Sequence, residues 1–168
     1  RTIREAFEAV REAGIVIVSQ NILALPTGDF EDDLETLRLN CSLRPDFAFA
    51  TLLQPYPRTR IGEYCRREGL LKKDVEKELP DSFFDGTVLR VPDRERRERL
   101  RKLFALAIEF PFLRGGLKWL TRLPLDGLYD VLDRVWKGYC IKQREFPYSM
   151  SAAEYLRGAI DYLRSRYY

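Results

Sequence analysis

The sequence predicts an α/β fold in which one strand-helix-strand unit is followed by a mainly helical part. Three observations predict it. Two apolar runs, residues 15–23 and 47–53, flank a segment whose apolar residues recur at helical spacing. Beyond residue 70, apolar residues return at i, i+3, i+4 and i+7 between Pro and Gly breaks. The charge also shifts: residues 1–57 carry five basic and nine acidic residues, and residues 58–168 carry 24 and 17. Two differently built parts therefore join near Pro57.

In the first part, Ile3, Phe7 and Val10 share one face of an opening helix, and Gly14 ends it because Gly tolerates the left-handed cap. Residues 15–23 are β-branched or apolar almost throughout, the pattern of a strand covered on both faces. Leu25-Pro26-Thr27-Gly28 breaks it. Asp29 stands at an N-cap position, Phe30, Leu34, Leu37 and Cys41 form one stripe of a helix over 30–43, and Pro45 closes that helix before a second strand near 47–54. Connections this short make the strands parallel neighbours joined by a right-handed crossover. Two parallel strands leave their edges uncovered, and Arg1 falls inside the first helical pattern, so the sequence reads as the C-terminal fragment of a larger protein.

In the second part, Thr59 caps a helix through Ile61, Tyr64 and Cys65 that Gly69 ends, and Pro, Asp and Gly make residues 80–91 irregular. Helices should fill most of 93–168. One runs from Pro92-Asp93 to Phe110, and a shorter one reaches Pro124. A third carries the stripe Leu125, Leu128, Tyr129, Leu132, Val135, Trp136, Tyr139 and Cys140. The last opens on a capping box of Ser151 and Glu154, with Tyr155, Leu156, Ala159 and Leu163 on its inner side.

Composition excludes several chemistries. With no His among 168 residues there is no Ser-His-Asp or Cys-His site, no imidazole zinc site and no His-based pH switch. A net charge of +3 does not indicate a nucleic-acid partner. Cys41, Cys65 and Cys140 lie 24 and 75 residues apart, which fits reduced thiols packed in a core, in a cytoplasmic protein, and no metal-ligand spacing. No apolar run reaches the roughly 18 to 20 residues of a membrane span. The cations of Arg94 to Lys102 alternate with Glu95 and Glu98, as on a solvated, ion-paired helix face. Phe112, Leu113, Leu117, Trp119 and Leu120, with Arg114, Lys118 and Arg122, suit either a membrane surface or, more simply, packing against the rest of the fold.

In parallel α/β folds the ligand sits at the carboxyl ends of the strands. Gln20, Asn21 and Gln54 are the polar residues there, beside the corner Leu25-Pro26. Each amide needs a hydrogen-bond partner, which is either a ligand or neighbouring backbone and water. Strand alternation sends Gln20 and Asn21 to opposite faces. Asn21, nearer the corner, is favoured as the main contact.

Read in order, Ile22-Leu-Ala-Leu-Pro-Thr-Gly-Asp29, Phe30-Glu-Asp-Asp-Leu-Glu-Thr-Leu-Arg-Leu-Asn40, Arg44-Pro-Asp46 and Gln54-Pro-Tyr-Pro-Arg-Thr59 resemble the late barrel strands of radical S-adenosylmethionine enzymes. The likeness is to the group with an N-terminal cobalamin-binding domain, which reads N-x-L-G-L-P-G-x-T, E-D-D-x-x-T-x-x-L-N and Q-P-Y-P-G-T. Ser82-Phe-Phe-Asp85 and Lys102-Leu-Phe104 resemble its C-terminal extension. Ala24, Thr27 and Arg58 depart from the pattern, each standing where the family reads Gly, a residue that supplies a positive φ or a close backbone approach.

The resemblance implies a fragment of a partial (β/α) TIM-like barrel followed by a mainly helical C-terminal extension, and it sets the domains at 1–70, the βα units, and 71–168, the helical extension. In the parent, an iron-sulfur cluster on a CxxxCxxC loop would cleave S-adenosylmethionine reductively to a 5'-deoxyadenosyl radical that takes hydrogen from a substrate, with cobalamin as a further cofactor. The cluster ligands are absent from this chain, which by itself should be inactive and hold no catalytic or metal-binding residue. Gln20, Asn21, Leu25, Pro26 and Gln54 would line the cofactor and substrate cavity. The implied partners are the N-terminal barrel and cobalamin-binding domain of the same protein and a small-molecule or lipid substrate, in the cytoplasm or at the membrane periphery. The rival reading is a non-catalytic helical interaction or peripheral-membrane module attached to an incomplete βαβ unit.

Overall fold

The computed structural model describes residues 2–71, 86–145 and 151–164. In chain order the elements are α1 (Ile3–Glu12), β1 (Val18–Leu23), α2 (Phe30–Leu43), β2 (Phe47–Leu52), α3 (Arg60–Arg67), α4 (Arg94–Glu109), α5 (Pro111–Arg114), α6 (Leu117–Leu120), α7 (Asp126–Cys140), a π-helical turn (Ile141–Glu145) and α8 (Ala152–Arg164). The fold is α/β, mostly helical. Its sheet is the expected parallel pair, with Val18 opposite Phe47 and Leu23 opposite Leu52. The caps predicted at Asp29 and Thr59 form, Asp29 as a capping box and the Thr59 hydroxyl accepting the Gly62 amide, and Thr2 makes a further, unpredicted capping box.

β1 is shorter than residues 15–23. Ile15 and Val16 are 59% and 52% exposed, because the pairing partner begins only at Phe47 and no described element covers them. The expectation of a strand covered on both faces is also corrected. By the register, Ser19, Asn21 and Leu23 share one face with Ala48, Ala50 and Leu52. That face is buried: α2 lays Phe30, Leu34 and Leu37 over it, and α4 adds Leu100, Leu103, Phe104 and Ala107. Burying a side chain such as Leu or Phe contributes about 1.5–3 kcal/mol, so this single core, drawn from both parts of the chain, dominates stability. On the other face, Phe47 is covered by Ala105 and Cys140, but Gln20 and Ile22 stand exposed.

The basic run on α4 is not a solvated face. Arg97 is fully buried, and Arg99 and Arg101 are nearly so. Each finds a carboxylate on another helix: Arg97 takes Asp33 of α2, while Arg99 takes Asp126 and Arg101 takes Asp133, both of α7. The local Glu95 and Glu98 therefore understate the acids available to the run, since the main partners are distant in sequence.

The apolar stripe of α7 divides. Tyr129 and Cys140 are buried and Trp136 is half-buried against the core, whereas Leu128, Leu132, Val135 and Tyr139 are exposed, as is Leu125 just before the helix. On α8, Leu156 is 63% exposed rather than on an inner face; the side chains of Tyr155, Ala159 and Leu163 lie outside the described residues. So does the motif at residues 82–85. The described remainder of the irregular segment pairs Leu89 with Leu71 in an antiparallel bridge. Among the described residues, no helix is long and apolar enough to cross a membrane.

Candidate functional site

The open sheet face forms a cavity of about 490 Å³ at the carboxyl ends of both strands, lined by Gln20, Asn21, Ile22, Phe49, Thr51, Leu52, Leu53, Gln54 and Tyr56. Its lining holds amides, two hydroxyls, aromatic rings and aliphatic groups, and no charged side chain. It therefore suits an uncharged or internally neutralised part of a ligand.

Its rim is built by three local devices. At the end of β1 the backbone turns at Ala24 with φ 61°, a left-handed conformation unusual for a residue with a Cβ. The Ala24 amide donates to Asp33 Oδ1 at 3.0 Å, Asp33 receives Arg97, and Arg97 Nη1 donates to the Gly28 carbonyl at 3.0 Å. A buried ion pair thus ties both ends of the Leu25-Pro26 corner. At the end of β2, the Thr59 hydroxyl donates to the Tyr56 carbonyl at 2.7 Å, and Arg58 adopts φ 63°. A Cβ on Gly62 would stand 2.2 Å from the Tyr56 carbonyl oxygen, so only Gly allows α3 to approach the turn that carries Tyr56. Finally, residues 87–88 close over Gln54: Thr87 donates to the Leu53 carbonyl, and the Val88 amide donates to Gln54 Oε1 at 3.2 Å.

Gln54 is 7% exposed, and its Nε2 is buried without a hydrogen-bond partner. Since Oε1 is engaged by Val88, the amide cannot flip to hide its donor. An unpaired buried donor costs about 1–3 kcal/mol.

The two adjacent amides divide as alternation requires, but opposite to the preference for Asn21. Asn21 turns to α2: Asn40 Nδ2 donates to Asn21 Oδ1 at 2.7 Å, Asn21 Nδ2 reaches the Phe49 carbonyl at 3.2 Å, and Ser19 donates to Asn40 Oδ1 at 2.7 Å. Its polar atoms are engaged within the protein, which leaves Gln20 as the exposed amide of β1 on the cavity side. Leu25 is 47% exposed at the corner and Pro26 half-buried; neither lines the cavity.

Among the described residues, no group of three or more His, Cys, Asp or Glu is placed to hold a metal ion. Cys65 and Cys140 are buried and Cys41 half-buried, all free. Burial pushes the Cys140 thiol up to about 11 and raises the other two, so all three rest protonated at neutral pH.

No protein-family model, curated protein or solved structure matches the chain.

Proposed function

We propose that the chain is the late part of a radical S-adenosylmethionine enzyme barrel with its helical extension, and that the open sheet face is one wall of the cavity holding the cofactor and substrate. The observation that carries the reading is the backbone at Ala24 and Arg58. Both positions align with Gly in the family pattern, and both are left-handed, with φ 61° and 63°. A left-handed residue with a Cβ costs about 1–2 kcal/mol, and the coincidence of these two with the family glycines supports the reading, though Arg44 and Asp93 are left-handed as well. Thr27, the third departure, has no positive φ and carries no such strain.

In this reading the free edges of the β1 and β2 pair join further strands, and the cavity closes around its ligand. S-adenosylmethionine fits the donor set, with amides and aromatic groups suited to an adenine and ribose. The cluster that cleaves it does not fit the buried thiols of this chain and belongs on a CxxxCxxC loop elsewhere in the parent. Gln20 donates a hydrogen bond to the ligand, and Gln54 lines the cavity beside it. Ile22, Phe49 and Leu53 exclude water from it, and the Asp33–Arg97 pair keeps the Leu25-Pro26 corner in place. Cobalamin would add a second cofactor in a preceding domain.

The coding sequence ahead of Arg1 tests the proposal. A CxxxCxxC loop within further βα units supports it, and the anaerobically reconstituted parent should then show cluster absorption and cleave S-adenosylmethionine. An upstream stop codon or an unrelated sequence would favour the non-catalytic module.

A further inference from the structure

α2 and the segment that carries α5 and α6 enclose a second cavity, of about 170 Å³. Its apolar wall is Leu34 and Leu37 of α2 and Leu117 of α6, all buried. Cys41, half-buried, lines it one turn after Leu37. Arg38, Arg114 and Lys118 supply the charged side of the lining. None of these residues lines the open sheet face, so the two sites stand or fall separately.

The three cations are unequally matched. Glu31 takes Lys118 at 2.6 Å and Arg38 at 3.8 Å, and Glu35 takes Arg38 as well. Arg114 instead donates through Nε and Nη2 to the carbonyls of Ala107 and Ile108, at 2.9 and 2.7 Å, and among the described residues no carboxylate pairs with it. Those two bonds hold the guanidinium in place without neutralising it. Its field reaches the cavity: burial raises the Cys41 thiol, and the Arg114 charge works against that rise. Three cations against two carboxylates leave one positive charge, fixed beside an apolar wall.

We propose that this cavity binds a small monocarboxylate with a short branched aliphatic chain, its carboxylate on Arg114 and its chain against Leu34, Leu37 and Leu117. One surplus charge matches one carboxylate, and a guanidinium is the donor best suited to that group. A cavity of about 150 Å³ admits benzene, so one of about 170 Å³ holds roughly six or seven non-hydrogen atoms, the size of a four- or five-carbon acid. An inorganic anion would leave the apolar wall wet, and a neutral hydrocarbon would leave Arg114 unmatched.

Cys41 reports occupancy. Its modification by N-ethylmaleimide in the folded chain would be timed by peptide mass spectrometry, with isovalerate, acetate, 3-methylbutanol or sodium chloride added at tens of millimolar. A ligand this small binds in the millimolar range, so isovalerate should slow the reaction roughly tenfold. Acetate lacks the chain and 3-methylbutanol lacks the charge, and each should slow it by less than about twofold. Arg114→Gln should abolish the protection. Arg114→Lys loses the same carbonyl bonds but keeps the charge, so it should retain part of the protection and separates charge from fold, circular dichroism being compared for both. No protection by isovalerate, equal protection by acetate or chloride, or full protection in folded Arg114→Gln would overturn the assignment.

Discussion

Arg97 and Asp33, 64 residues apart, meet in a two-pronged buried ion pair, Nε to Oδ2 at 2.6 Å and Nη2 to Oδ1 at 3.0 Å. The pair joins α4 to α2 and holds the corner after β1 through the Ala24 amide and the Gly28 carbonyl. Arg97→Met should therefore cost about 3–5 kcal/mol, because it strands a buried carboxylate. Adding Asp33→Asn removes that charge and keeps an acceptor for Ala24, so the double variant should regain part of the loss. Urea unfolding of the three proteins checks both expectations.

The two left-handed residues should respond differently to Gly. Arg58 is exposed and φ 63° is its strain, so Arg58→Gly should stabilise by roughly 0.5–1 kcal/mol after the entropic cost of Gly. Ala24 is fully buried in the core, and losing its methyl offsets the relief, so Ala24→Gly should be nearly neutral. Thermal melting separates the two.

Acid should loosen the helical part. A hydrogen bond from Arg144 lowers the Glu109 pKa, and one from Arg99 lowers that of Asp126. A carboxylate depressed in the folded state adds stability above its unfolded pKa and loses it as pH falls through the folded value. Melting temperature should hold above about pH 5 and fall toward pH 3. Glu109→Gln should flatten part of that fall.

The thiols should behave as core residues. Cys65 and Cys140 are fully buried and Cys41 only half so, so a thiol reagent at neutral pH should modify Cys41 first and the other two only on unfolding. Fast modification of Cys140 in the folded chain would contradict its packing against Phe47 and Ala105.

The strand-helix-strand order was legible because periodicity, caps and breakers are local: Asp29, Pro45 and the stripe from Phe30 to Cys41 sit within one segment. The Asn21 contact was legible in principle too, since Asn40 follows Leu37 by three residues on the inner stripe of α2. The Arg97–Asp33 pair was not. Nothing near α4 signals that its cations belong to carboxylates on other helices, so a buried run resembled a solvated one. The outward stripe of α7 escaped for a related reason, because spacing identifies an apolar face and says nothing of what covers it.

The division between Gln20 and Asn21 tests the central claim most directly. S-adenosylmethionine affinity and melting temperature would be measured for the parent protein from the complete reading frame, purified anaerobically, with Gln20→Leu and Asn21→Leu as single variants. Gln20→Leu should weaken binding roughly 5- to 150-fold with melting little changed, the worth of a hydrogen bond of about 1–3 kcal/mol. Asn21→Leu should lower the melting temperature through the lost Asn40 contact and leave affinity near that of the unmodified protein. Unchanged affinity in Gln20→Leu, or lost affinity in Asn21→Leu alone, would contradict the assignment of the open sheet face as the cofactor wall.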